Sequence, residues 1–294
     1  MRLPDFLIIG AAKSGTTTLY EYLCKHPQIF MSTPKEPDFF SVEANYELGL
    51  DWYTSLFAAA EPNQICGEAS TTYSRCQQHP NAAERIARTL PNVKLIYIMR
   101  HPIDRAYSFY VHRLKGSRYK PELAVGKTFE ETIQQQSEFV DSSYYLQQIE
   151  CYLKFFPKES FLFLLMDDLI QNPETTIEQT FEFIGVDPHY DLGRSTPIVA
   201  NKASDNPEWF VRQQLTAPLQ AIPGVQQIKS MIPKDLRDRV YQVLKQWKYK
   251  SWADTQYRPP AMLPETRQTL SDRFRQPNQQ LSEFLDRDLS HWNQ

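Results

Sequence analysis

Gly10-Ala-Ala-Lys-Ser-Gly-Thr-Thr-Thr18 combines one lysine, one serine and a run of threonines around two glycines, a composition suited to holding an oxyanion. Glycines let a backbone approach a ligand closely, Lys13 brings a full charge, and Ser14, Thr16 and Thr17 bring hydroxyl donors, with Thr18 completing the run. If this stretch joins a buried strand to a helix, the N–H groups around Gly15 and the positive helix end converge on one anion. A second candidate is Arg100 with Ser108 in the helix that follows, because a guanidinium fork plus a hydroxyl makes a good phosphate site. A third is Glu36 in Thr33-Pro-Lys-Glu-Pro-Asp-Phe-Phe40. A glutamate in a Pro-flanked loop beside two phenylalanines is expected to be partly desolvated, which raises its pKa toward usefulness as a base.

These groups need a scaffold, and the apolar pattern supplies one. Phe6-Leu-Ile-Ile9, Val93–Met99 and Phe161–Met166 are continuous apolar runs, the pattern of strands buried on both faces. Helices are expected over Thr16–Lys25, Asn81–Leu90, about Pro102 to Lys115, Ser142–Phe156 and Thr175–Ile184, the last closed by Gly185. Strands alternating with helices imply an α/β fold with a mostly parallel sheet flanked by helices on both faces. Gly116–Gly126 reads as a mobile surface loop and Pro188–Pro223 as irregular. Amphipathic stretches near Leu236–Trp247 and Thr266–Leu285 suggest a C-terminal helical extension. One domain over 1–294, with a core at about 5–210 and the extension at about 211–294, is the simplest organisation.

Composition narrows the chemistry. The chain has 294 residues, a hydrophobic fraction of 41% and a net charge of −3, so a globally basic nucleic-acid binder is disfavoured and an anion site must be a local cluster. The N-terminal apolar run is far below the roughly 18 residues that span a bilayer, and no signal-peptide pattern surrounds it. The four cysteines (Cys24, Cys66, Cys76 and Cys151) form neither a Cys-x-x-Cys motif nor a disulfide framework, which fits a reducing compartment and makes the cytoplasm the default location. The six histidines show no ligand spacing, so no metal is expected. His101, directly after Arg100, is expected to pack or cap, and His112 to lie on a solvated helix face.

The first loop approaches the nucleotide triphosphatase pattern Gly-x4-Gly-Lys-Ser/Thr but departs from it where it matters. Thr16 follows Gly15 where that pattern has lysine, and Lys13 precedes Gly15 instead. A P-loop triphosphatase or small-molecule kinase, and a non-catalytic nucleotide-binding module, are the alternatives that this loop leaves open.

Lys13-Ser-Gly-Thr-Thr17 directly after a first strand resembles the 5′-phosphosulfate loop of the sulfotransferases that use 3′-phosphoadenosine 5′-phosphosulfate (PAPS). Leu19-Tyr-Glu-Tyr-Leu23 and His26-Pro-Gln-Ile29 are similar to that family's heparan-sulfate and bacterial branches. Arg100-His-Pro-Ile-Asp-Arg-Ala-Tyr-Ser108 resembles its 3′-phosphate motif. The resemblance implies a P-loop-like parallel sheet, Lys13 stabilising the departing oxygen, Arg100 and Ser108 on the 3′-phosphate, and 3′-phosphoadenosine 5′-phosphate (PAP) as product without a required metal. Lys35 and Glu36 fall on the Lys-Glu-x-His-Phe-Phe segment, whose glutamate is taken as the base, although Asp38 stands where that branch often has histidine. In Gly67-Glu-Ala-Ser-Thr-Thr-Tyr73, Ala69 replaces a lysine associated with acidic glycans, while Thr71, Thr72 and Tyr73 are candidates for the acceptor cleft. Ser143–Leu153 resembles the Gly-x-Tyr-x-x-Gln-Leu helix, which makes Tyr145 and Gln148 further cleft candidates. Asn201-Lys-Ala-Ser204 through Trp209 occupies the place of the late adenosine loop. The acceptor could be a carbohydrate, a lipid or another small molecule.

Overall fold

A computed structural model of the 294-residue chain describes residues 2–117, 123–190 and 259–293. The Leu236–Trp247 stretch, the late loop at Asn201–Trp209 and most of the irregular Pro188–Pro223 segment lie outside the described residues, as do 118–122 of the expected surface loop.

Five strands form one parallel sheet: β1 (Phe6–Gly10), β2 (Ile29–Met31), β3 (Ile65–Ala69), β4 (Lys94–Met99) and β5 (Phe161–Leu165), in the order β2-β3-β1-β4-β5. The three strands read from apolar runs are present, each within a residue or so of its expected limits. Alternation along each strand splits the core into two layers. Leu7, Ile9, Leu95, Tyr97 and Met99 face one side, and Phe6, Ile8, Ile96, Ile98, Leu162 and Leu164 face the other. Each such side chain contributes about 1.5–3 kcal/mol by leaving water.

The first layer is covered by α4 (Ala82–Thr89) and α8 (Tyr145–Leu153). The second is covered by α1 (Thr16–Leu23), α9 (Met166–Gln171) and α10 (Pro173–Ile184). Two short helices, α2 (Glu43–Tyr46) and α3 (Gly49–Ser55), precede β3. A third apolar cluster joins α5 (Pro102–Ser117), α6 (Phe129–Gln135), α7 (Glu138–Asp141) and the C-terminal α11 (Pro264–Leu285). Thr266–Leu285 thus falls inside α11, as its periodicity implied.

Strand β3 shows why apolar runs alone were insufficient. Its sequence, Ile-Cys-Gly-Glu-Ala, contains a glycine and a carboxylate, yet its last four residues are buried. Gly67 is there because the Phe6 ring fills the space: a Cβ would lie 2.1 Å from the ring. With β1 flanked by β3 and β4, the carboxyl ends of all three strands open into one crevice, where open α/β sheets bind their ligands.

Candidate functional site

The loop after β1 turns directly into α1, and Gly15 makes the turn. Gly15 is the N-cap at φ 94, a left-handed conformation that a side chain would resist, and no side chain caps the helix. The amides of the first turn therefore point into the crevice beside Ser14. The Ser14 hydroxyl is buried and has no hydrogen-bond partner in good geometry, with the Tyr145 hydroxyl, which donates to the Arg100 carbonyl at 2.7 Å, beside it. A buried, uncommitted hydroxyl beside uncapped helix amides fits an oxyanion.

Lys13 also holds a left-handed backbone, at φ 70, a conformation that costs a non-glycine residue of order 1–3 kcal/mol and that clusters at ligand sites. Its ammonium is brought down to about 8, first by burial and then by the nearby Arg100, Lys115 and Lys35, while Glu36 opposes them. Arg100 leaves the end of β4 and donates from Nη1 to the Lys13 carbonyl at 3.3 Å. The loop after β1 and the end of β4 therefore meet. Ser108 lies nearly two turns into α5 and is half-buried. Arg100, Lys13, Lys35 and Lys115 concentrate positive charge in a chain whose net charge is −3.

Glu36 comes to the same place. Its N–H donates to the Ala69 carbonyl at 3.0 Å, so the Pro-flanked loop continues from the end of β3. Its carboxylate accepts from Lys35 Nζ at 2.8 Å and from Thr71 Oγ1 at 3.4 Å. The side chain keeps 44% exposure while protein surrounds it, which places it on the wall of an open cleft. The rise in pKa expected from the sequence does not occur. Burial does push the carboxyl up, but Lys35, His112 and the Thr71 hydroxyl outweigh it and hold Glu36 below the usual carboxylate range.

Asp38, which stands where an imidazole was expected by resemblance, sits at φ 52 with its carboxyl raised to about 6, chiefly by burial. It accepts from Thr72 Oγ1 at 2.6 Å. The imidazole enters from another element: His112, on α5, faces Lys13 and Glu36. Burial and the Lys13 charge lower it to about 4, so it is neutral near pH 7. The sequence placed His112 on a solvated face, and the residue is exposed, with Lys13 and Glu36 among the charges that act on it. Its spacing from Ser108, one turn earlier on the same helical face, was the available signal.

Three substrate candidates change role. Tyr73 is fully buried and its hydroxyl accepts the Phe40 N–H at 3.4 Å, so it packs beneath the cleft rather than lining it. Gln148 is 1% exposed and its Oε1 accepts the Cys76 N–H at 2.9 Å. Tyr145 is 2% exposed and supports Arg100 from behind through that residue's carbonyl. Thr72 remains at the cleft edge, bonded to Asp38 and, at 2.7 Å, to Ser41 Oγ. His101 packs near Trp292, with ring centroids 6.4 Å apart. Asp167, after β5, accepts from His291 Nε2 at 3.3 Å and from Trp292 Nε1 at 3.5 Å.

A family model described as "Sulfotransferase domain" matches residues 3–207. The human bifunctional heparan sulfate N-deacetylase/N-sulfotransferase 3 is 32% identical over 215 residues, 68% of this chain and 24% of that protein. The mouse heparan sulfate glucosamine 3-O-sulfotransferase 5 is 32% identical over 194 residues, 64% of this chain and 55% of that protein. The chain thus spans about a quarter of the first relative's length and about half of the second's. The crystal structure of a sulfotransferase from Alicyclobacillus acidocaldarius covers 100% of both chains with a TM-score of 0.67 at 22% identity, so the two share a fold.

Proposed function

The chain belongs to the sulfotransferase domain family, and from that premise we propose that it transfers a sulfuryl group from PAPS to a hydroxyl or amine. The relatives' names point to heparan sulfate, which favours a carbohydrate over a lipid as the acceptor. PAPS supplies an activated sulfuryl group: the bond from sulfur to the phosphate oxygen breaks as a bond from sulfur to the acceptor forms, and PAP departs. This chain's residues do the rest. Lys13, Ser14 and the first-turn amides of α1 at Gly15, Thr16, Thr17 and Thr18 hold the phosphosulfate end and stabilise charge on the departing oxygen. Arg100 and Ser108 hold the 3′-phosphate, so binding far from sulfur orients the reacting centre. Glu36 takes the acceptor proton, with neutral His112 beside it and Lys35 fixing its carboxylate.

The observation that carries this reading is the meeting of Lys13 and Arg100 through the Arg100 Nη1 to Lys13 carbonyl bond, next to a buried hydroxyl with no committed partner. The displaced lysine weighs against a triphosphatase, and the Glu36–His112 pair weighs against a binding module without turnover. Incubation with ³⁵S-labelled PAPS and a panel of glycan, lipid and phenolic acceptors tests the proposal. Label moving to an acceptor with release of PAP is expected. Binding of PAP with no transfer to any acceptor, or Mg²⁺-dependent turnover of ATP instead, contradicts it.

A further inference from the structure

Beneath the loop that carries Glu36 lies a carboxyl that this reaction does not use. Glu68, in β3, is fully buried. Its Oε1 accepts the Ser70 hydroxyl at 2.6 Å, and its Oε2 accepts the Tyr53 hydroxyl. Ser70 Oγ in turn accepts the Asp38 N–H at 3.0 Å. The result is a one-way chain from the loop backbone inward: Asp38 N–H to Ser70, Ser70 O–H to Glu68. Its outer end lies two residues from Glu36, whose own N–H is held by the Ala69 carbonyl.

We propose that Glu68 is a positioning residue for Glu36, fixing the base's loop through Ser70 and the Asp38 amide; this rests on reading Glu36 as the base. Glu36 and Asp38 both hold left-handed backbones, at φ 60 and φ 52, and residues other than glycine keep such conformations only where neighbours enforce them. Two bonds enforce them here, one at each residue's amide, and the second ends on a buried carboxyl. Ionised Glu68 can only accept, so it draws the single Ser70 proton inward, and the Ser70 oxygen faces no donor from the carboxyl while it accepts from Asp38 N–H. Protonated Glu68 can instead donate to Ser70, and that donor then competes with Asp38 N–H for the Ser70 oxygen.

The titratable groups facing Glu68 are Tyr53 from α3, Tyr73 beyond the end of β3, Asp38 from the loop and Tyr152 from α8. Burial is the largest influence on this carboxyl, and it pushes Glu68 up to about 7, against the Ser70, Tyr53 and Tyr73 hydroxyls. The loop is therefore held best above that value, and its order falls as pH drops through it.

Glu68→Gln, Glu68→Ala and Ser70→Ala test the proposal, with kcat, PAP affinity by calorimetry, and deuterium exchange of residues 33–41 in the ligand-free protein. Glu68→Ala and Ser70→Ala are expected to lower kcat by about tenfold or more while PAP affinity shifts much less, because misplacing a base affects the reacting step. Exchange in 33–41 should rise in both. Glu68→Gln can still accept from Ser70, so it should lower kcat less than Glu68→Ala and remove the inflection near pH 7. The proposal is overturned if kcat and loop exchange in Glu68→Ala and Ser70→Ala stay near wild type, or if Glu68→Gln keeps the inflection. If Glu68→Ala does not fold, Ser70→Ala and Glu68→Gln decide the matter. Because exchange is read without substrate, a loop response in a protein that transfers no sulfuryl group supports the positioning role and rejects only the activity.

Discussion

At Lys13, burial and three neighbouring cations bring the ammonium down to about 8, so its charge is present below that pH and lost above it. For the free enzyme, kcat/KM for PAPS should fall as pH rises through about 8, and a bound anion should move the corresponding limb of kcat higher. Lys13→Ala should lose about a hundredfold or more in kcat, in line with removal of one oxyanion donor, together with that alkaline limb. A steady-state pH series on both proteins measures this. Glu36→Gln should lower kcat by about 10² to 10⁴ with little change in PAP affinity, since the acceptor proton then has no carboxylate to go to. Lys13, Arg100 and Glu36 could be singled out as candidates from the sequence because their neighbours suggest the chemistry: glycines, hydroxyls and flanking prolines. Tyr73 and Gln148 were misread because a motif position does not reveal which face is buried. The influence of Glu36 on His112 joins residues far apart in the sequence, so no local pattern announced it.

Elements place these residues through their ends. Gly15 at φ 94 starts α1 with its amides uncapped, so Gly15→Ala forces a side chain into a left-handed conformation at a cost of about 1–2 kcal/mol. That should lower Tm by roughly 2–4 °C per kcal/mol in a calorimetric scan and weaken PAP binding as well. Tyr145, at the start of α8, supports Arg100 at the end of β4. Tyr145→Phe removes that bond, worth about 1 kcal/mol, and should weaken PAP by roughly fivefold in a calorimetric titration. Strands β1, β4 and β5 could be read from the sequence because both faces are covered and the runs are apolar throughout. Strands β2 and β3 could not: β2 is three residues long, and β3 spends two positions on Gly67 against Phe6 and on Glu68.

At the scale of the whole molecule, the sheet order sets the strand ends side by side and the C-terminal segment backs them. Trp292 is fully buried against Tyr145 and near His101, which ties the chain's last helical turn to the support of Arg100. No helix among the described residues is long and apolar enough to cross a membrane. The parallel α/β architecture followed from alternating patterns, whereas the packing of Trp292 on Tyr145 depends on contacts between distant parts of the chain that no local pattern records. In the proposed reaction Lys13 and Arg100 grip opposite ends of one nucleotide. Titration calorimetry of PAP and of AMP against the wild-type protein and Arg100→Ala tests it most directly. PAP should bind the wild type about tenfold to a hundredfold more tightly than AMP, the worth of a charged hydrogen bond, and Arg100→Ala should erase that preference while leaving AMP binding in place. Equal affinities of the wild type for PAP and AMP, or an undiminished preference in Arg100→Ala, would contradict it.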